Sequence, residues 1–297
     1  MVISEKINKI RKLKDFNYLL DEKQDESRIK KYYNSNKIAY LLFHNISGCL
    51  HMGISKDKKN RKSDLFEQAN IIKKEIQKSD ALKVLELGYG RGANLFFLAK
   101  IFRTKKFVGV DLSTEPLKRY RLNNINFIKG DYNNLSGLEK DFDIVYAVET
   151  ICHSESLSKT LREVSSIMKT GAKLIIFDGY YISNFDNLDE ISKEACRLVE
   201  RGMAVDHFHE LKFLKKESEE LGFMIIKEIN YSDNILPSLY KFEKLTKLYF
   251  KIPILFKLIN YLFPEMFTRN ALAAYLMPNL IESKIAGYYM HILEKKI

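Results

Sequence analysis

The feature that most restricts this chain is an alternation running from Ala81 to Phe177. Short, apolar, β-rich runs (KVLELG, KFVGVDL, INFIKGD, FDIVYAVET and AKLIIFD) are separated by NLFFLAKIF, TEPLKRYRL and LSKTLREVSSIM, whose apolar residues recur at helical spacing. Strands that are apolar along most of their length are buried on both faces, and the intervening helices supply the cover. The pattern predicts an α/β fold with a doubly wound, mostly parallel sheet. Right-handed crossovers then bring the C-terminal ends of those strands to one edge, where such sheets bind ligands.

Outside this stretch the chain changes character. Residues 1–80 read as charged helices and loops, an N-terminal helical cap with an aromatic patch at Tyr32, Tyr33, Tyr40 and Phe43. The α/β core is expected over 81–235, ending in two helical patterns and the strand GFMIIKEINY. Residues 236–284 are aromatic, apolar and studded with Lys, and read as a helical insertion before a final core strand in 285–297, AGYYMHILEKK. Such an insertion can pack on the core, roof an apolar pocket as a lid, or lie on a membrane surface with its lysines at the headgroups.

Composition narrows the function classes. With 49 Lys and Arg against 38 Asp and Glu, the net charge is +11. The excess is mostly Lys scattered along helix-like stretches, which reads as a solvated surface and not as a nucleic-acid footprint. The three cysteines, Cys49, Cys152 and Cys196, form no C-x-x-C pair. That spacing suits neither a disulfide framework nor a zinc knuckle and points to a reducing cytoplasm. The N-terminus lacks the apolar core of a signal peptide, and no apolar run approaches the roughly 18 residues that cross a bilayer. The expected partner is a small apolar acceptor and not nucleic acid; peripheral membrane contact through 236–284 and a homodimer both stay open.

Chemistry concentrates first in the turn Glu86-Leu87-Gly88-Tyr89-Gly90-Arg91-Gly92-Ala93. Here a buried strand ends in glycines that let the backbone turn tightly and let a ligand approach. The helix that follows offers unpaired N–H groups and a positive dipole end, suited to a diphosphate or to the carboxylate of an amino-acid moiety. The spacing Gly88-x-Gly90-x-x-Ala93, with Asp111 placed to hold a ribose, also satisfies the dinucleotide fingerprint, so a nicotinamide-dependent oxidoreductase stays open on the turn alone. A non-catalytic, membrane-attached scaffold is a third class. Glu86, Asp111, Asp131 and Glu149 fall at or just past strand C-terminal ends. An acidic rim suits a ligand carrying a sulfonium and an ammonium, and repels a diphosphate.

ELGYGRG resembles the E/D-x-G-x-G-x-G signature of class I S-adenosylmethionine-dependent methyltransferases, and FVGVDLS and NFIKGDYNNL resemble that family's second- and third-strand motifs. FDIVYAVETICH followed by MKTGAKLIIFD is similar to its fourth and fifth strands. The resemblance covers about Val84 to Tyr231. It implies a seven-strand sheet and S-adenosylmethionine as cofactor, bound by Glu86, Gly88, Gly90 and Gly92. By the same resemblance Asp111 holds the ribose hydroxyls, Asp131 meets the adenine amino group, Tyr132 lies beside the ring, and Leu112 and Val148 complete the site.

The segment Glu149-Thr150-Ile151-Cys152-His153 is similar to the E-x-x-C-H element of sterol and related isoprenoid C-methyltransferases. This implies Glu149 and His153 as the catalytic pair, polar or basic groups beside the acceptor. His51, in Gly48-Cys49-Leu50-His51-Met52-Gly53, sits where those enzymes carry an aromatic region ending in a His-containing turn, but lacks the usual aromatic residue after it. Acceptor contacts are expected from Tyr33, His51, His207, Tyr288 and Tyr289. The two tyrosines, on the final strand, should face the acceptor chamber. His207 and His209 form an H-x-H pair without a third ligand at recognisable spacing, so no metal is expected. After the fourth strand the chain reads Ala147-Val148-Glu149-Thr150 and not [DNS]-P-P-[FYW], which speaks against amino methylation of nucleic-acid bases. The expected activity is methyl transfer to carbon of an isoprenoid, sterol-like or similarly apolar metabolite; O- or N-methylation of another small molecule is the alternative.

Overall fold

The computed structural model describes residues 2–20, 48–112 and 116–296. Tyr33, expected to touch the acceptor, lies outside the described residues, as do Tyr32, Tyr40 and Phe43. Strands β1 (Lys83–Leu87), β2 (Lys106–Asp111), β3 (Ile125–Lys129), β4 (Phe142–Val148) and β5 (Met168–Tyr181) run parallel. β6 (Phe223–Asn230) and β7 (Ala286–Lys295) complete a seven-stranded sheet of order β3-β2-β1-β4-β5-β7-β6, with β7 antiparallel to both neighbours. The doubly wound sheet predicted from the alternation is thus present, and β1 lies near its centre with Leu85 opposite Val108 on one side and Val145 on the other.

The described helices are α1 (Ile3–Arg11), α2 (Glu67–Gln77), α3 (Ala93–Ile101), α4 (Leu157–Ile167), α5 (Glu190–Met203), α6 (Leu211–Glu220), α7 (Ser232–Lys251), α8 (Pro253–Leu262) and α9 (Glu265–Glu282). Successive strand residues point to opposite faces. Leu85 and Leu87 therefore join Leu161, Val164 and Leu214 of α4 and α6, whereas Val84 joins Ile72, Ile76, Leu95 and Leu98 of α2 and α3. A third apolar cluster gathers α1, α5 and the insertion α7–α9 above the strand ends.

The described residues of the segment 1–80 accordingly divide between two layers. α2 belongs to the face of the sheet, and α1 joins the lid. Lys6 of α1 is buried, with Nζ 2.8 Å from Glu243 of α7 and 2.5 Å from the carbonyl of Tyr275 in α9. Burial pushes its amine pKa down, and the paired carboxylate opposes that shift. The insertion starts earlier than expected, at Ser232, and is jointed by prolines at the first position of α8 and the cap of α9, where a missing N–H costs nothing.

One predicted helix does not form over its described residues. Residues 116–122 of TEPLKRYRL form an irregular segment with a single turn. Leu117 N–H donates to the Arg91 carbonyl, and Leu117 packs in one cluster with Tyr120, Cys49 and Ala93. The helical spacing of its apolar residues is satisfied by docking on the glycine turn instead.

Where α5 crosses α9, a Cβ placed on Gly202 would stand 2.4 Å from the Arg269 carbonyl oxygen and 2.8 Å from the Ala273 side chain. Helix propensity alone favours Gly→Ala by about 1 kcal/mol. Here the sign should reverse. Gly202→Ala is expected to lower stability by about 1–3 kcal/mol in urea unfolding, because helix backbones must separate; unchanged or increased stability would show that the crossing is looser than described.

Candidate active site

The site forms where β1 and β4 end side by side. Gly88, Gly90 and Gly92 all adopt positive φ. Gly88 has no alternative, since a Cβ there would lie 2.1 Å from Thr150 Oγ1. The turn also sets Asp111 at the end of β2, because Gly90 N–H donates to Asp111 Oδ2 at 2.9 Å. Tyr132, past β3, reaches across to donate its hydroxyl to the Thr150 carbonyl at 2.9 Å.

Glu86 lies beneath this turn, 2% exposed, and its Oε2 has no hydrogen-bond partner. Burial, with the charge of Asp111 adding to it, pushes its pKa up to about 8. An unpartnered, buried carboxyl oxygen on a cleft wall suits an ammonium group, which favours its ionised form, whereas a diphosphate beside it would hold it protonated and gain no ion pair. The cleft residues therefore fit the methionine and ribose parts of S-adenosylmethionine better than they fit a dinucleotide.

Glu149 immediately follows β4 at φ +51, a left-handed conformation that a residue with a Cβ adopts at some cost. Its N–H is held by the Phe177 carbonyl at 2.8 Å, and its Oε1 accepts from Met52 N–H at 2.8 Å. The Met52 carbonyl in turn accepts from Gln68 Nε2 at 2.6 Å and lies 3.1 Å from His51 Nδ1. Gln68 Nε2 is also 3.3 Å from the Tyr288 hydroxyl, which hydrogen-bonds Glu149. One loop residue thus ties His51, Gln68 and Glu149 together. Burial pushes the Glu149 carboxyl up to about 8, while His153, held through Nδ1 by the Ala204 carbonyl at 3.2 Å, is pushed down to about 4 by burial. At neutral pH the imidazole is neutral.

Two spaces meet at this pair. A polar cleft is walled by Glu86, Gly88, Gly90, Asp111, Leu112, Tyr132 and Val148, with His51 beside them. An apolar cavity of about 260 Å³ lies under the lid, between Met52, Leu239, Phe242 and Met277. Leu50, Glu149 and His153 line both.

Four expected site residues fall elsewhere. Gly92 caps α3 behind the cleft wall, and a Cβ there would meet the Phe127 ring at 2.9 Å. Asp131 turns its carboxylate onto the N–H and side chain of Asn133, closing the bend after β3. His207 packs against Tyr181 and Phe185, with Nδ1 2.9 Å from Glu200, and does not line the cavity. Tyr289 cannot share a chamber with Tyr288, because neighbours on a strand face opposite ways; it bonds Asn230 and packs with Tyr180 in the opposite layer. His209, partly buried, bonds toward Ser154 and Ile151 while His207 pairs with Glu200, so the H-x-H pair does not converge.

Sequence reasoning overlooked Asn94, Thr150, Gln68 and Asp178. Asn94 contacts His51 at 3.3 Å on the polar cleft. Asp178, at the end of AKLIIFD, accepts from Cys152 N–H at 3.0 Å and Gly179 N–H at 2.8 Å, and burial pushes it up to about 6. An acidic residue closing an apolar strand was the available signal for Asp178; nothing in the spacing marks Gln68.

Residues 85–176 match the family model of a methyltransferase domain. A sterol 24-C-methyltransferase of Saccharomyces cerevisiae is 24% identical over 167 residues, which is 54% of this chain and 43% of that protein. The chain spans less than half the length of the curated relatives it matches. A cyclopropane synthase from Mycobacterium tuberculosis shares the fold with a TM-score of 0.74 at 10% identity, covering 93% of this chain and 100% of that one. The geranyl diphosphate C-methyltransferase of Streptomyces coelicolor shares it with a TM-score of 0.63 at 11% identity, covering 91% and 97%. The architecture is the seven-strand methyltransferase fold.

The Glu86 shift has a sign that can be read in solution. A carboxyl raised to about 8 holds its proton at pH 7, and an ammonium bound against it favours the ionised form. Binding of S-adenosylhomocysteine at pH 7 should release close to one proton, measured by calorimetry in two buffers of different ionisation enthalpy. Glu86→Gln should abolish the release. Uptake of a proton, or release unchanged in the variant, contradicts the assignment. With Glu86 and Glu149 protonated in the folded chain where the unfolded chain has already ionised them, the ligand-free protein should lose stability as pH rises from about 4.5 through about 8.

Proposed function

We propose that this chain, which carries a methyltransferase domain over residues 85–176, is an S-adenosylmethionine-dependent methyltransferase that methylates carbon in a small, largely apolar metabolite of isoprenoid or sterol-like character. The observation that carries the reading is the sharing of Glu149 and His153 between an acidic polar cleft and an apolar cavity. A cofactor in the first and an acceptor in the second would meet at those two side chains. The names of the relatives, sterol 24-C-methyltransferases and a geranyl diphosphate C-methyltransferase, support carbon as the acceptor atom.

When bound, S-adenosylmethionine supplies a methyl group on a sulfonium and departs as a neutral thioether. The chain's part is to hold, orient and dry the reactants. Glu86 receives the ammonium, and Asp111, oriented by Gly90 N–H, holds the ribose hydroxyls. Leu239, Phe242 and Met277 of the lid press the acceptor toward Glu149 and keep water out.

Methylating an alkene carbon leaves positive charge on the acceptor, and a neighbouring carbon must then give up a proton. Glu149 is the group to take it. The proton goes to the more basic neighbour, and the Glu149 carboxyl, raised to about 8, is far more basic than His153 at about 4. Beside a bound cation Glu149 would be favoured in its ionised form, with Met52 N–H and the Tyr288 hydroxyl as its hydrogen-bond donors. Neutral His153 positions the acceptor from the other side of the junction.

The test uses S-adenosylmethionine labelled in its methyl group and a panel of isoprenoid and sterol acceptors, with label counted in the organic extract. Glu149→Gln should cut turnover by about 10²–10⁴ while S-adenosylhomocysteine affinity changes by less than about threefold, since the base is not a cofactor ligand. Label transfer at wild-type rate in Glu149→Gln would remove Glu149 from the chemistry. Label recovered only in polar products would overturn the apolar acceptor.

A further inference from the structure

The lid turns an unusual share of apolar surface outward. Of the seventeen large apolar residues that stand exposed among the described residues, nine lie between Tyr240 and Phe263, so the exposure is a patch and not the scatter normal for protein surfaces. α8 is its centre. The inner face of this helix contributes Leu255 and Ile259 to the cavity wall and buries Phe256 in the lid cluster. Its outer face repeats the helical spacing with Ile254, Leu258, Tyr261 and Leu262, exposed by 79%, 51%, 87% and 62%. A helix that is apolar toward water as well as toward its own protein lacks a partner for the outer face.

Charge indicates the partner. Between Leu236 and Pro264 the chain has five lysines, Lys241, Lys244, Lys247, Lys251 and Lys257, all exposed. The one acidic residue in that span, Glu243, is paired with Lys6. Four of the lysines follow α7 at steps of three and four residues, beside the exposed Leu245 and Leu248. A cationic stripe along an apolar one is the surface of a helix lying in the interface of an anionic bilayer. No described helix is long and apolar enough to cross a membrane, so the contact lies on the surface. A second copy of the chain would cover the apolar face too, but a two-fold contact sets the lysine stripes against each other.

The cavity reaches the surface within the same patch. Leu245 and Leu248 line it and are also exposed, by 48% and 55%. Its mouth is thus framed by residues of the patch, while Glu149 and His153 stand at its inner end.

We infer that the α7–α8 edge of the lid docks the protein on an anionic lipid bilayer, with Ile254, Leu258, Tyr261 and Leu262 among the acyl chains and the lysines at the headgroups, and that the apolar acceptor enters the cavity directly from the lipid. The docking rests on the surface alone; the delivery of an acceptor rests on the proposed methyl transfer.

The experiment is co-sedimentation of the full chain with phosphatidylcholine vesicles, pure or containing roughly a third phosphatidylglycerol, at low and high salt. Three proteins are compared: the wild type, Ile254→Ser/Tyr261→Ser/Leu262→Ser, and Lys244→Gln/Lys247→Gln/Lys251→Gln. None of these residues faces the cofactor cleft. S-adenosylhomocysteine affinity and melting temperature, unchanged in both variants, show that they fold. The wild type should bind the anionic vesicles at least tenfold more tightly than the neutral ones, and salt should weaken the binding. Each variant should lose tenfold or more.

Failure of the wild type to bind either vesicle, or binding indifferent to both variants and to lipid charge, overturns the inference. A concentration-dependent dimer seen by analytical ultracentrifugation, abolished by the serine variant and accompanied by no vesicle binding, assigns the face to a second copy and overturns it too. Vesicle binding without S-adenosylhomocysteine binding would uphold the docking and refute the methyl transfer, so the two readings fail separately.

Discussion

The site depends on how closely β1 and β4 finish beside each other. The turn after β1 and the segment after β4 touch at Gly88 and Thr150, with no room for a Cβ between them. From that junction the rest follows. Gly90 N–H is placed to hold Asp111, Thr150 presents its carbonyl to Tyr132, and the chain must turn sharply at Glu149. The left-handed conformation at Glu149 costs on the order of 1–3 kcal/mol and persists because surrounding bonds over-determine it. Those bonds are the Phe177 carbonyl on its N–H and Met52 N–H on its carboxyl.

The second constraint is electrostatic. Two carboxyls, Glu86 and Glu149, are carried into places where burial favours their neutral forms. Burying a carboxyl that lacks a full set of partners is unfavourable for folding, and a cation in the cleft offsets that cost. The sulfonium and ammonium of the proposed cofactor are two such cations. On this account the energy stored in the empty cleft becomes affinity when the ligand arrives, and the same event ionises the group that must later accept a proton. The lid adds the apolar half. Its helices, tied to the N-terminal helix through Lys6 and Glu243, close a cavity whose inner end is the polar junction.

Much of this was legible in the chain. Near-continuous apolar runs marked β1, β2, β4 and β5, because strands buried on both faces leave little polar alternation to misread, whereas β3, INFIK at the sheet edge, is only partly buried. Glu86, Asp111, Glu149 and His153 were legible as strand-end polar residues and are brought to one place. What failed did so for physical reasons. The spacing of Leu117 and Tyr120 suits a helix face but equally suits docking of an irregular segment, which periodicity cannot distinguish. Tyr289 was placed beside Tyr288 against the strand's own two-residue period. Asp131 and His207 carry side chains fit for a ligand, but Asp131 Oδ1 is engaged by Asn133 and His207 by Glu200, and neither lines the cleft or the cavity. Gln68 was illegible because its role lies in long-range contacts with Met52 and Tyr288, which leave no trace in local sequence.

The most direct measurement of the central claim is a calorimetric titration of the purified protein with S-adenosylhomocysteine, with NAD in a parallel cell, repeated on Asp111→Ala. The account predicts micromolar binding of S-adenosylhomocysteine alone, lost in the variant, since Asp111, held by Gly90 N–H on the wall of the acidic cleft, is the group proposed to hold the ribose. Binding of NAD in place of S-adenosylhomocysteine, or binding of neither, would contradict it.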